Sequence, residues 1–163
     1  MDALWAKARK IARRAIKAAE GKRLEKYKCP ANEWTIGYGH QIKPGSELFT
    51  GKISSAKAER LLTDDIQDAA LIVQTHFPGA VERDTLNAER LAVLIEMAFC
   101  LGSSRLWKFS DMRSAVEYEN WTWAGAEIQN SRWYWVQGAK SPGIRVRLLR
   151  LKGQLRSGKV AGR

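Results

Sequence analysis

Residues 20–40 read Glu20-Gly21-Lys22-Arg23-Leu24-Glu25-Lys26-Tyr27-Lys28-Cys29-Pro30-Ala31-Asn32-Glu33-Trp34-Thr35-Ile36-Gly37-Tyr38-Gly39-His40. Two periodicities meet at the first of them. Upstream, Leu4, Trp5, Ala8, Ile11, Ala12, Ala15, Ile16 and Ala19 recur at three- and four-residue spacings. Lys7, Lys10, Arg13, Arg14 and Lys17 fall largely outside that stripe, so residues 2–19 are expected to form an amphipathic helix. Continuing the stripe from Ala12 and Ile16 lands on Glu20, and Gly21 follows as a natural helix stop. Downstream, from Leu24 to Ile42, Tyr27, Pro30, Trp34, Thr35, Ile36, Gly37, Tyr38 and Gly39 replace the helical period with β-formers and turn residues, predicting a small antiparallel sheet. A carboxyl at the end of a buried stripe is partly desolvated. Desolvation disfavours the ionised form, the property a general acid needs to protonate a leaving-group oxygen. On the residues alone, a helix-end Glu paired with Arg or Lys is an equal alternative.

The remaining chain reads mainly as helices. Ser54 or Ser55 caps a long helix through about Gln74, with Ala58, Leu61, Leu62, Asp65, Ile66, Ala69 and Val73 near one face, ending before Pro78. Leu86 to Leu101 is too apolar for a surface helix and too short to span a bilayer, so it is expected at the centre of a helical lobe, with Gly102 as its C-cap. Further helices are expected from Ser110 to about Glu119, from Trp121 or Thr122 to Asn130, and from Ile144 to about Leu155. The last presents Ile144, Leu148, Leu151 and Leu155 as its stripe. Residues 159–163 read as a loose tail.

With 163 residues and 45% hydrophobic content, the chain suffices for one packed domain and is no disordered polymer. Its net charge of +11 calls for an anionic partner, and the charge is unevenly placed. Residues 1–28 carry ten basic and three acidic side chains, residues 140–163 eight and none, and residues 29–139 ten and fourteen. No run is long enough for a membrane span, and the N-terminus lacks signal-peptide character, so a cytoplasmic protein is expected. Cys29 and Cys100 lie far apart without metal-ligand spacing, which argues against a zinc site, and a bridge between them is not expected in a reducing compartment.

The string Glu20-Gly21, then Leu24 and Tyr27, then Thr35-Ile36-Gly37-Tyr38-Gly39-His40 resembles the catalytic segment of the bacteriophage T4-type lysozymes, the endolysin muramidases. Ala58-Glu59-Arg60-Leu61-Leu62 leading to Asp65, Ala98-Phe99-Cys100-Leu101-Gly102, and Ser131-Arg132-Trp133-Tyr134 before a basic final helix extend the likeness from about Ile11 to Leu155. The resemblance implies an α+β, mainly helical, two-lobed fold. A small lobe with a three-stranded antiparallel sheet (about 20–51) joins through the 54–74 helix to a helical lobe built from 1–19 and 80–156, all within one catalytic domain of residues 1–158. It implies hydrolysis of the bond between N-acetylmuramic acid and N-acetylglucosamine in peptidoglycan, in a cleft that a hinge opens and closes. It also implies a monomer without metal or organic cofactor, made in the host bacterial cytoplasm and released to the periplasm and cell wall by a separate pore protein. Anionic outer-membrane lipid is a second expected partner. The rival readings are a basic nucleic-acid-binding protein, which leaves Glu20, Thr35 and His40 unexplained, a membrane-active basic protein without catalysis, and an enzyme of the same class that forms a 1,6-anhydro product without added water, against which the Thr35-containing motif favours water.

Carried over by position, Glu20 is the general acid, Thr35 helps place the attacking water, and His40 forms a structural ion pair with Asp65. The departure is Cys29, where familiar members carry an aspartate as the second carboxylate. A thiol there can serve as base or nucleophile if ionised, or Glu20 with a Thr35-held water suffices, or catalysis is weak. Glu25 and Glu33 are less favoured substitutes, one in a charged surface pattern and one in a turn. Cys100 falls at the family's polar cleft-floor site but reads as a small core residue. Trp133 and Tyr134 are expected near the sugar. Of Arg145 and Arg147, only one can point toward the acid, because two residues turn a helix by about 200°. Arg147 borders the buried stripe more closely and is preferred.

Overall fold

Helix α1 (Asp2–Glu20) buries Trp5, Ala8, Ala12 and Ile16 along one stripe and turns Lys7, Lys10 and Arg14 outward. Small alanines let it lie close against the central helix, and full burial of Ile16 is worth roughly 2–3 kcal/mol. The computed structural model describes residues 2–29 and 32–160. Pro30 and Ala31, expected in a turn, and residues 161–163 of the expected tail lie outside the described residues.

After α1 the chain forms β1 (Arg23–Lys28), β2 (Trp34–Gly37) and β3 (His40–Gln41), an antiparallel sheet in that order. Tyr27 pairs with Thr35 and Lys28 with Trp34, whereas Arg23 pairs with Gly37, so the register shifts between Arg23 and Tyr27. Thr35 pairs with Gln41 and Ile36 with His40, leaving Gly37-Tyr38-Gly39 as the reversal. Ile36, Ile42 and Leu61 form a small separate core under this sheet. A 3-10 turn (Glu47–Thr50) follows.

Helix α2 (Ser55–His76) starts at Ser54, whose hydroxyl accepts from Lys57 N, and ends two residues later than expected. Pro78 does not merely stop the chain. Phe77 leaves helical geometry at φ −131°, and a short helix α3 (Pro78–Glu82) begins with Pro78 at its first position, where a missing N–H costs nothing.

Helix α4 (Ala88–Trp107) is the expected central helix, with Leu91, Val93, Leu94, Ile95 and Met97 fully enclosed. It does not end at Gly102. The backbone breaks there at φ 68°, ψ 172° and resumes helical geometry through Trp107. Helices α5 (Ser110–Glu117), α6 (Trp121–Asn130) and α7 (Pro142–Ser157) complete the lobe, with a π-helical turn over Trp133–Gly138 that the sequence pattern did not predict. Capped by Ser141, α7 starts two residues before the expected Ile144, and Gly158 closes it in left-handed geometry. Both α1 and α7 pack on α4, so the two basic ends of the chain share one lobe. The architecture is α+β, mainly helical and two-lobed, with a three-stranded antiparallel sheet.

Candidate active site

Glu20 is the last residue of α1. Gly21 adopts φ 67° and donates its N–H to the Lys17 carbonyl at 3.2 Å, which ends the helix where the carboxylate leaves the buried stripe. The Glu20 side chain is 26% exposed. Arg147 Nη2 donates to Glu20 Oε1 at 2.7 Å, so the helix-end ion pair left open by the residues alone is present. On its other side the carboxylate lies against the β2–β3 reversal. A Cβ on Gly39 would sit 3.6 Å from Glu20 Cδ, and Gly39 holds φ 92°, a conformation that side-chain-bearing residues avoid.

Arg147 is the hub of a buried charge network. Its Nη1 lies 3.2 Å from Cys100 Sγ, and its Nε 3.5 Å from Glu96 Oε1, which also accepts from Arg150 Nη2 at 2.5 Å. Burial works against the Arg147 charge, but Cys100, Glu20 and Glu96 together outweigh it and raise the guanidinium pKa further. Burial pushes the Cys100 thiol up to about 12, so it stays protonated at neutral pH. Arg145 turns elsewhere, its Nε donating to the Tyr134 hydroxyl at 3.2 Å.

Cys29 and Thr35 meet at the far end of the β1–β2 pair. The Glu33 carbonyl accepts from Cys29 N and from Thr35 Oγ1, both at 3.0 Å. Thr35 is buried, and because its proton is directed at Glu33 its oxygen lone pairs remain available as acceptors. Burial first, then the Glu20 carboxylate, raise the Tyr27 phenol pKa against the opposing Arg23 guanidinium. Glu25 pairs with Lys52 at 2.7 Å, 68% exposed, and Glu33 is exposed. His40 Nδ1 lies 2.9 and 3.0 Å from the two Asp65 oxygens, joining β3 to α2.

Trp133 and Tyr134 are not brought to Glu20. Both are buried, and Trp133 lines a separate recess with Phe109 and Met112. Sequence reasoning also missed Glu96 and Glu59. A lone acid in the apolar run 91–101 is the available signal for Glu96: a buried carboxylate needs cationic partners, and α7 carries them. Glu59 accepts from Arg13, Lys17 and the Tyr38 hydroxyl, tying α1 to α2 and to the reversal beside Glu20. The neighbouring Lys17 first, then the Tyr38 hydroxyl, hold its carboxyl down at about 2. Among the described residues no group of His, Cys, Asp and Glu could hold a metal ion, and no helix is long and apolar enough to cross a membrane.

A helix-terminal carboxylate held by an arginine and faced by a short sheet places one acid at a groove of the molecule. The phage lysozyme family model matches residues 17–150, and the chain belongs to that family. A lysozyme-type hydrolytic function follows at the family level. The chain is 27% identical over 138 residues to a probable T4-type lysozyme 2 of Dictyostelium discoideum, covering 72% of this chain and 81% of the relative. It is 27% identical over 128 residues to an endolysin of Acyrthosiphon pisum secondary endosymbiont phage 1, covering 78% and 81%. Over 161 residues it is 27% identical to the pre-baseplate central spike protein Gp5 of Enterobacteria phage T4, covering 87% of this chain and 28% of that protein.

Proposed function

We propose that the chain is an endolysin that hydrolyses the β-1,4 bond between N-acetylmuramic acid and N-acetylglucosamine in bacterial peptidoglycan, with Glu20 as the proton donor. The observation that carries this reading is the Glu20 carboxylate at the end of α1, fixed by Arg147 at one oxygen and bordered by the Gly39 turn. Protonated, Glu20 gives its proton to the glycosidic oxygen as the bond to the anomeric carbon breaks. Water adds to that carbon and yields a proton in turn. Thr35 orients this water as a hydrogen-bond acceptor, and Cys29 takes the second-residue role, receiving the proton as a thiolate or holding the water. His40 and Asp65 hold the sheet to α2 and touch no substrate, while Tyr134 anchors Arg145 and Trp133 packs in the helical lobe. The resemblance further supports synthesis in the bacterial cytoplasm, access to the wall through a separate pore, and action as a monomer.

The test is turbidity loss of purified wall sacculi with wild type, Glu20→Gln, Cys29→Ser and Cys29→Asp side by side. Glu20→Gln is expected to lose at least ~100-fold in rate, since one acid catalyst contributes about 100- to 10,000-fold and its amide still occupies Arg147. Cys29→Asp is expected to keep activity and Cys29→Ser to lose about 10- to 100-fold. Equal rates for Glu20→Gln and wild type would contradict the assignment.

A second activity is supported by α7, where Val146 and Leu149 are exposed beside Arg145 and Lys152. Such a face suits anionic outer-membrane lipid. Killing of intact Gram-negative cells by Glu20→Gln is the expected result, and complete loss of killing in that variant would contradict it.

A further inference from the structure

Two demands on Glu20 oppose each other. As proton donor it must hold a proton when the glycosidic oxygen arrives, yet Arg147 Nη2 lies 2.7 Å from its Oε1, and a cation at that range favours the ionised carboxylate. The interior behind Arg147 holds an opposing charge. Glu96 Oε1 lies 3.5 Å from Arg147 Nε, and Arg150 Nη2 lies 2.5 Å from the same oxygen. The order is therefore Glu20, Arg147, Glu96, Arg150, alternating in sign and summing to zero. Helix spacing builds it. Glu96 and Cys100, four apart on α4, both meet Arg147, while Arg147 and Arg150, three apart on α7, both meet Glu96. Titratable groups act on Glu20 from three elements: Arg147 on α7, Cys100 on α4 and Tyr27 on β1. On Glu96 they are Arg147 and Arg150 from α7, with Cys100 on its own helix. Burial raises both Cys100 and Tyr27, so neither is charged at neutral pH. The charge felt at the acid is then set by the arginine and by what shares it.

We infer that Glu96 is a positioning residue for the reaction: buried behind Arg147, it takes a share of the guanidinium and orients its fork, so that the contact with Glu20 fixes the acid without keeping it ionised. This role rests on the muramidase reading, in which Glu20 gives up a proton. Glu96 is 1% exposed and touches no substrate, so it acts through Arg147. With the Glu96 charge removed, two cations face the one remaining carboxylate. With the Arg150 charge removed, two carboxylates share the one remaining arginine. The two changes push Glu20 in opposite directions, which a loss of packing or stability does not do.

The experiment measures kcat/KM for release of reducing ends from sacculi between about pH 4 and 9, with thermal unfolding recorded at each pH. Wild type, Glu96→Gln, Arg150→Met, Ser54→Ala and Glu20→Gln are compared. The limb of the profile that follows Glu20 ionisation is expected to move down by about one pH unit in Glu96→Gln, and up by about half a unit in Arg150→Met, whose charge is the more distant. One unit corresponds to a rate about 10-fold lower on the alkaline side of that limb. Ser54→Ala loosens α2 without touching these charges and is expected to leave the profile where wild type has it. A limb that stays in place in both charge variants, or moves the same way in both, would overturn the inference and leave Glu96 a structural residue. If unfolding shows that Glu96→Gln does not fold, the upward move in Arg150→Met carries the test, and its absence overturns the inference. Failure of the underlying reading is distinguishable, because Glu20→Gln would then match wild type, or wild type would release no reducing ends.

Discussion

Arg147 reaches three acidic or polarisable groups at once, and the site depends on how they share it. Glu96 is 1% exposed and lies within reach of two guanidinium groups, so removing its charge leaves Arg150 without its carboxylate and Arg147 with Glu20 alone. Glu96→Ala is expected to destabilise the fold by about 3–5 kcal/mol, and Glu96→Gln by less because the amide oxygen still accepts from Arg150. Urea denaturation of both variants checks this; equal, negligible losses would show that the network carries no stability. The two thiols differ in a way that is also measurable. Since Cys100 titrates only near pH 12 and sits under Arg147, an alkylating reagent at about pH 8 is expected to modify Cys29 alone, and both thiols only after unfolding. Mass spectrometry of the labelled peptides reads the outcome. At this scale the sequence was legible where a side chain's place follows from its period: Glu20 on the α1 stripe, Arg147 beside Leu148. It was not legible for Glu96, whose partners lie about fifty residues away on α7, nor for the burial of Trp133 and Tyr134, which depends on a π-helical turn that no spacing announces.

Glu59 links three elements through one carboxylate. Its folded pKa of about 2 lies below the reference of 4.5, so its contribution is fully present above about pH 5 and disappears as pH falls toward 2. The side chain is 33% exposed, and after discounting for solvent screening the contribution at neutral pH is about 1–2 kcal/mol. Glu59→Gln is expected to lower stability by that amount at pH 7 and to flatten the stability curve between about pH 5 and 2. Unfolding midpoints measured across that range test the sign: a variant that loses as much on acidification as wild type would remove Glu59 as the titrating group. At the N-terminus of α2, Ser54→Ala removes the bond to Lys57 N and is expected to cost about 1 kcal/mol. Helix existence was readable throughout because the apolar stripes are long. Boundaries were less so at glycine and proline, which report a change of backbone geometry without saying whether the helix resumes. Gly102 breaks α4 yet does not end it, and Pro78 opens α3.

Over the whole molecule, the +7 and +8 charge of the two ends converges on one lobe through α1 and α7, while the −4 middle of the chain supplies Glu96, Glu59 and Asp65 as internal partners. The sequence showed the separation of charge, and the family resemblance implied that both ends share the helical lobe; α1 and α7 meet it by packing on α4. Attraction to an anionic wall over this distance is screened, with a Debye length of about 10 Å at 0.1 M salt. Clearance of sacculi is therefore expected to slow several-fold between about 0.02 and 0.3 M salt, with a much smaller change on short uncharged oligosaccharides. The most direct measurement of the central assignment is the identity of the sugar at each new chain end. Sacculi digested with wild type or Glu20→Gln are reduced with borohydride, and the products are weighed by mass spectrometry. The account predicts reduced N-acetylmuramic acid ends from wild type and essentially none from Glu20→Gln. Reduced N-acetylglucosamine ends, anhydro ends, or undiminished release by the variant would contradict it.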